Sequence, residues 1–89
     1  MRQEPEFFGD RELSLLYMAR RLRDALRLEE LLTKSGVDYY VETDIYEGGL
    51  IFRSELTGAF FYVNPEELEP SQKLLLANRF KPYNPARNR

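Results

Sequence analysis

Residues 21–36, RLRDALRLEELLTKSG, followed at once by residues 37–43, VDYYVET, decide the fold of this chain. The first stretch sets Ala25, Leu28 and Leu32 at helical spacing, with Leu31 widening the stripe and Leu22 joining it if the first turn starts early. Ala, Leu, Arg and Glu, which fill most of it, are strong helix formers. Asp24 caps this helix or sits in its first turn, Lys34 sits in the last turn, and Gly36 takes the left-handed stop position. The second stretch alternates. Val37, Tyr39, Val41, Thr43 and Ile45 make one face; Asp38, Tyr40, Glu42, Asp44 and Tyr46 make the other, wetter one. A helix, a glycine stop and an alternating strand form one α/β unit.

Upstream of this unit, residues 12–19, ELSLLYMA, are apolar on both alternating sets, Leu13, Leu15 and Tyr17 against Ser14, Leu16 and Met18. Periodicity alone leaves strand and helix open for so short a run. A buried strand is the preferred reading, with the helix starting near residues 21–24. Residues 1–10 are polar apart from Phe7-Phe8, with Pro5 and Gly9 as breakers, and read as an arm. Two adjacent aromatics in an arm are expected to pack back on the domain or onto a second copy.

Downstream, Glu47-Gly48-Gly49 reads as a turn, Leu50, Ile51 and Phe52 extend the pairing, and residues 54–58 turn the chain again. Residues 59–63, AFFYV, are continuously apolar, as suits a central strand. Asn64-Pro65-Glu66-Glu67 is a helix start, with Asn64 as cap, Pro65 in the first position and Glu67 completing a capping box. That helix carries Leu68, Leu74, Leu75 and Ala77, with a kink or restart expected at Pro70 and Phe80 closing its end. The domain therefore spans residues 11–80, between the arm at 1–10 and a flexible basic tail at 81–89.

The order is strand, helix, strand, strand, helix. A right-handed crossover makes the first two strands parallel, and the third fits between them, antiparallel to both. The expected fold is α+β: a two-layer split βαβ, or ferredoxin-like, sheet with both helices on one face.

At 89 residues the chain has room for one small domain, which buries roughly 60% of its unfolded surface. It has no cysteine, so no disulfide or zinc-thiolate site supplements the core, and no histidine, the usual general base near neutral pH. Residues 1–12 contain no signal-peptide core, and no apolar run reaches the roughly 18 residues of a membrane span, so a cytoplasmic protein with no membrane partner is expected. The net charge of −2 is uneven: residues 79–89 carry +4 through Arg79, Lys81, Arg87 and Arg89, and residues 1–78 carry −6. An acidic body argues against a duplex-DNA binder.

From residue 15 to residue 80 the chain resembles a family of short prokaryotic signal-transducing proteins of unknown function. That family is distantly PII-like, with a βαββα core. The residues that carry the resemblance are LLYMARRLRDALRLEELL, SGVDYYVE and AFFYVNPEELE. The connection from Asp44 to Gly58, the arm and the tail depart from the shortest members, and the extended nucleotide loop of true PII proteins has no counterpart. The resemblance implies a bacterial regulatory module.

Arg20, Arg21 and Arg23 stand where the first strand hands over to the first helix, whose free N–H groups and partial positive charge suit a small anionic ligand. The same arginines also read as solvated partners of Asp24, Glu29 or Glu30. Asp38, Glu42, Asp44 and Glu47 match no cation-binding loop and read as solvated edge charges; no metal or cofactor is expected. Tyr40, Tyr46, Phe60 and Tyr62 share the sheet face opposite the helices. An uncovered aromatic face points to a protein contact, either a homodimer or other homo-oligomer or the Phe7-Phe8 arm folded over it. Stacking on single-stranded RNA is the alternative, and the acidic neighbours speak against it. Gly48, Gly49 and Gly58 form no phosphate loop and read as turn residues. Ser14, Ser35, Ser54 and Ser71 have no histidine to activate them, so no enzyme is expected. The reading that results is a small regulatory or adaptor module that self-associates and binds a protein or a small anionic metabolite.

Overall fold

The computed structural model describes residues 1–44 and 56–83. A 3-10 helix, Pro5–Phe8, precedes five elements: β1 (Ser14–Arg21), α1 (Leu22–Lys34), β2 (Tyr39–Asp44), β3 (Leu56–Val63) and α2 (Pro65–Ala77). The sheet order is β1-β3-β2, with β3 antiparallel to both neighbours. The fold is thus the expected α+β arrangement. Residues 12–19 belong largely to a strand, which passes directly into α1.

One face of the sheet holds the core. Ala59, Phe61 and Val63 of β3 and Tyr39 and Val41 of β2 are buried with Leu16 and Ala19 of β1. Ala25, Leu28 and Leu32 of α1 and Leu75 of α2 join the same cluster, so both helices cover the same face. Burying a side chain such as Leu16, Leu28, Leu32 or Leu75 contributes about 2 kcal/mol.

The double-sided apolar pattern of β1 is explained by a bulge. The register steps from Leu15↔Tyr62 to Tyr17↔Phe61, so Leu16 is an extra residue, fully buried. Its carbonyl accepts a hydrogen bond from the Tyr83 N–H at 2.9 Å, on the edge away from β3. The far edge of the sheet is closed similarly. Gln3 N–H donates to Tyr39 O at 2.8 Å and Tyr39 N–H to Met1 O at 3.1 Å, which lays residues 1–3 alongside the start of β2.

Each helix ends on a left-handed residue. Gly36 has φ 79°, and the Val37 N–H reaches back to Leu32 O at 3.0 Å. After α2 the same turn is made without glycine. Arg79 has φ 68°, its N–H bonds Leu76 O at 3.2 Å, and the Phe80 N–H bonds Leu75 O at 2.9 Å.

Several local expectations are corrected. Leu22 is 53% exposed and stands outside the core stripe, because α1 begins at that residue and turns Ala25, Leu28 and Leu32 inward. Of the two places left open for Asp24, the structure takes the first turn, which Arg21 precedes. Asn64 occupies the cap position of α2, but its side chain makes no capping bond and its Oδ1 is buried without a partner among the described residues; only its carbonyl is used, by the Glu67 N–H at 2.9 Å. α2 does not restart at Pro70, because a proline so near the start forfeits a single hydrogen bond to the first turn. Ala77 is exposed at the end of α2, and Thr43 is exposed near the end of β2. Gly58 is a strand residue paired with Asp44, since β3 starts at Leu56. The expectations for Ile45, Tyr46, Glu47-Gly48-Gly49, Leu50, Ile51, Phe52 and Ser54, and for residues 84–89, lie outside the described residues.

Candidate interaction surface

Residues directly opposite one another in adjacent strands share a face, so the register defines the side of the sheet away from the helices. Tyr40 pairs with Tyr62 and Glu42 with Phe60; Leu15 and Met18 of β1 pair with the same Tyr62 and Phe60. Farther along, Asp44 pairs with Gly58 and Arg21 with Leu56. The open face therefore has an aromatic centre with Glu42 on its β2 edge, and a second register shift, between Ala19 and Arg21, breaks the alternation of β1 before Arg21.

The Tyr40 and Tyr62 rings stack with centroids 6.1 Å apart and planes 27° apart. Tyr40, Phe60 and Tyr62 are half-buried, and Met18 is exposed. None of these residues belongs to the core cluster. Burial lifts the Tyr62 phenol above its ordinary value, and the nearby Glu42 carboxylate and Tyr40 add to that effect. Glu42, Thr43, Phe60 and Tyr62 line a shallow hollow of about 250 Å³ on this side. Tyr46, expected on the same face, lies outside the described residues.

Phe7 and Phe8 form an edge-to-face pair, centroids 5.1 Å apart, within the 3-10 helix. Phe8 is buried and Phe7 is 54% exposed, so one ring of the pair anchors the segment. Arg11, just beyond, makes a two-pronged contact with Glu66 in the first turn of α2, at 2.8 and 2.5 Å.

Arg20, Arg21 and Arg23 are all exposed. Among the described residues they form no salt bridge. The acids nearest in sequence are taken by other arginines: Asp24 by Arg27 at 3.9 Å, and Glu29 by Arg2 at 3.4 Å. Asp38 accepts a hydrogen bond from Gln3 Nε2 at 3.1 Å. No three acidic side chains among the described residues gather in the way a metal ion requires.

A second hollow, about 260 Å³, was not anticipated. Arg27, Glu30, Leu31 and Lys34 of α1 and Asn78 and Phe80 beyond α2 line it. The Arg27 guanidinium lies over the Phe80 ring, 5.1 Å from its centroid. The spacing of Arg27, Leu31 and Lys34 along one helical face was its sequence signal; the approach of Phe80 was not.

No helix among the described residues is long and apolar enough to cross a membrane. Comparison of the chain with protein-family models, with curated proteins and with solved structures finds no match.

Proposed function

We propose that this chain is a small cytoplasmic regulatory or adaptor module of the bacterial signal-transducing type it resembles, without enzymatic activity, acting through contacts of its open sheet face. The observation that supports this reading most strongly is the stacked Tyr40–Tyr62 pair beside Phe60 and Met18, on the side of the sheet away from both helices. An aromatic cluster of this kind is a favourable centre for a protein contact. The exposed Arg20, Arg21 and Arg23 at the start of α1 supply cationic donors for an acidic partner or a small anion.

Sedimentation velocity over a concentration series tests the contact. Wild-type protein is expected to self-associate, and Phe60→Glu to remain monomeric with an unchanged far-ultraviolet circular dichroism spectrum. A thermal-shift screen with phosphate, nucleotides and dicarboxylates tests the anion. A rise in melting temperature that disappears in the Arg20→Ala/Arg21→Ala/Arg23→Ala variant supports it. A monomer at every concentration that is also indifferent to every anion overturns the reading.

A further inference from the structure

We infer that the hollow between α1 and the turn after α2 binds a small organic anion with two acidic groups, a dicarboxylate or a bisphosphonate-like molecule. Neither the open sheet face nor Arg20, Arg21 and Arg23 line it, so the site goes beyond the function proposed above.

Three observations lead to it. First, the hollow has the size and lining of a small-ligand site. Its volume of about 260 Å³ is just under the roughly 300–1,000 Å³ of drug-sized sites. Phe80 is buried and Leu31 half-buried, which gives an apolar floor; Arg27, Glu30, Lys34 and Asn78 are exposed around it.

Second, the cations on the rim have unused donors. The Arg27 guanidinium is steadied over the Phe80 ring, 5.1 Å from its centroid, and its contact with Asp24 is long, at 3.9 Å. Most of its N–H donors remain open. Glu30 stands one turn from both Arg27 and Lys34, at spacings where helical ion pairs form. Among the described residues it pairs with neither, and Lys34 has no acidic partner. Arg27 and Lys34 are two turns apart, about 10 Å along the helix axis, which suits a ligand with an acidic group at each end.

Third, the backbone beside the hollow is strained at a further cation. Arg79 is exposed and has φ 68°, where glycine would be unstrained. In the chain it stands between Asn78 and Phe80, both of which line the hollow, and its side chain is long enough to reach over it. With Arg79 the hollow has Arg27 and Lys34 as well, against Glu30 alone, in a chain whose net charge is −2. Strain of this kind gathers at ligand sites.

Nitrogen-15 NMR titration tests the site, with succinate and methylenebisphosphonate as probes and acetate at equal ionic strength as the control. Saturable shifts are expected at the Asn78 side-chain amide and the Arg27 Nε–H with at least one probe, and none with acetate. Whichever probe saturates at the lower concentration identifies the acidic group. Arg79→Gly relieves the strain and is expected to fold at least as stably, while binding about tenfold or more weakly. Arg27→Met/Lys34→Met is expected to abolish binding with an unchanged circular dichroism spectrum. The Arg20→Ala/Arg21→Ala/Arg23→Ala variant is expected to bind as the wild type does. No saturable shift with either probe, or equal shifts with acetate, overturns the site. Binding that survives Arg27→Met/Lys34→Met overturns it too, and leaves those cations the task of offsetting the helix ends. Unweakened binding in Arg79→Gly overturns the part assigned to Arg79.

Discussion

The Tyr39 hydroxyl lies 3.1 Å from Glu29 Oε1 and 3.3 Å from the Glu29 carbonyl oxygen, tying the first residue of β2 to the middle of α1. The Tyr39 ring is buried and stacks on Phe61, centroids 5.8 Å apart, and Glu29 is held in turn by Arg2. Removing the hydroxyl by Tyr39→Phe keeps the packing and deletes the link. The expected loss is about 1–2 kcal/mol, since the acceptor is a carboxylate. A lowered urea midpoint with unchanged slope would register it; an unchanged midpoint would mean that water replaces the hydroxyl without loss.

Alkaline pH should destabilise the fold. Burial is the largest cause raising the phenols of Tyr17, Tyr39 and Tyr62 above their ordinary value. In the unfolded chain these groups ionise near the ordinary value of about 10. Above that pH the folded state holds more protons than the unfolded one, so stability falls as pH rises; below it the contribution is constant. Melting temperatures measured from about pH 8 to about pH 11 should be flat and then decline. The decline should be shallower in Tyr62→Phe.

The two helix ends offer a paired experiment. Arg79 adopts a left-handed conformation that costs a residue with a side chain about 1 kcal/mol and glycine little, so Arg79→Gly should stabilise the protein by up to that amount. Gly36→Ala should destabilise it by about 1 kcal/mol through backbone strain alone, because a Cβ there meets nothing within 4 Å. Opposite shifts in chemical-denaturation midpoint are expected; shifts of the same sign would contradict the account.

Ser71 is 1% exposed and its Oγ has no hydrogen-bond partner among the described residues. Ser71→Ala removes an unpaired hydroxyl and adds a better helix former. A gain of about 1 kcal/mol is expected from calorimetry or urea unfolding. A loss would mean that the hydroxyl is hydrogen-bonded in solution.

The paired contact from Arg11 holds the Glu66 carboxyl below its ordinary value, with the Glu66 backbone N–H adding to it. Carbon-detected NMR titration should find Glu66 titrating lower than a free glutamate and moving upward in Arg11→Met. The interaction is present above the ordinary carboxylate range and fades as pH falls through the lowered value. An identical titration in both proteins would show that the side chains do not meet in solution.

The stretch from Arg21 to Val41 was legible because its periodicities are clean: Ala25, Leu28 and Leu32 face one way and Tyr39 and Val41 another. The central place of β3 was legible for a related reason, since a strand flanked on both sides carries apolar residues on both faces. β1 was harder. Its bulge at Leu16 shifts the alternation partway along, and no local residue type announces such a shift. Arg79 was illegible because the left-handed turn is imposed from outside. Phe80 is drawn into the core, where it meets Tyr17 edge-on with centroids 5.5 Å apart, and the backbone before it must turn regardless of its side chain. Of the candidate surface, Tyr40, Phe60 and Tyr62 followed from parity alone. The place of Glu42 directly opposite Phe60 required the register.

The place of β3 between two strands that never touch each other also sets a schedule for biosynthesis. Among the described residues, both ladders between the named strands have β3 as one partner, yet β3 is translated after the other two. A nascent chain that has emerged only as far as Asp44 holds α1 with two strands and lacks the strand that joins them. At about 5–20 residues per second, roughly 1–4 s pass before Val63 follows, and through that interval Leu16, Tyr39 and Val41 face water or a chaperone. Ribosomal pausing between the second and third strands would prolong this exposure, whereas pausing after α2 would have little effect on it.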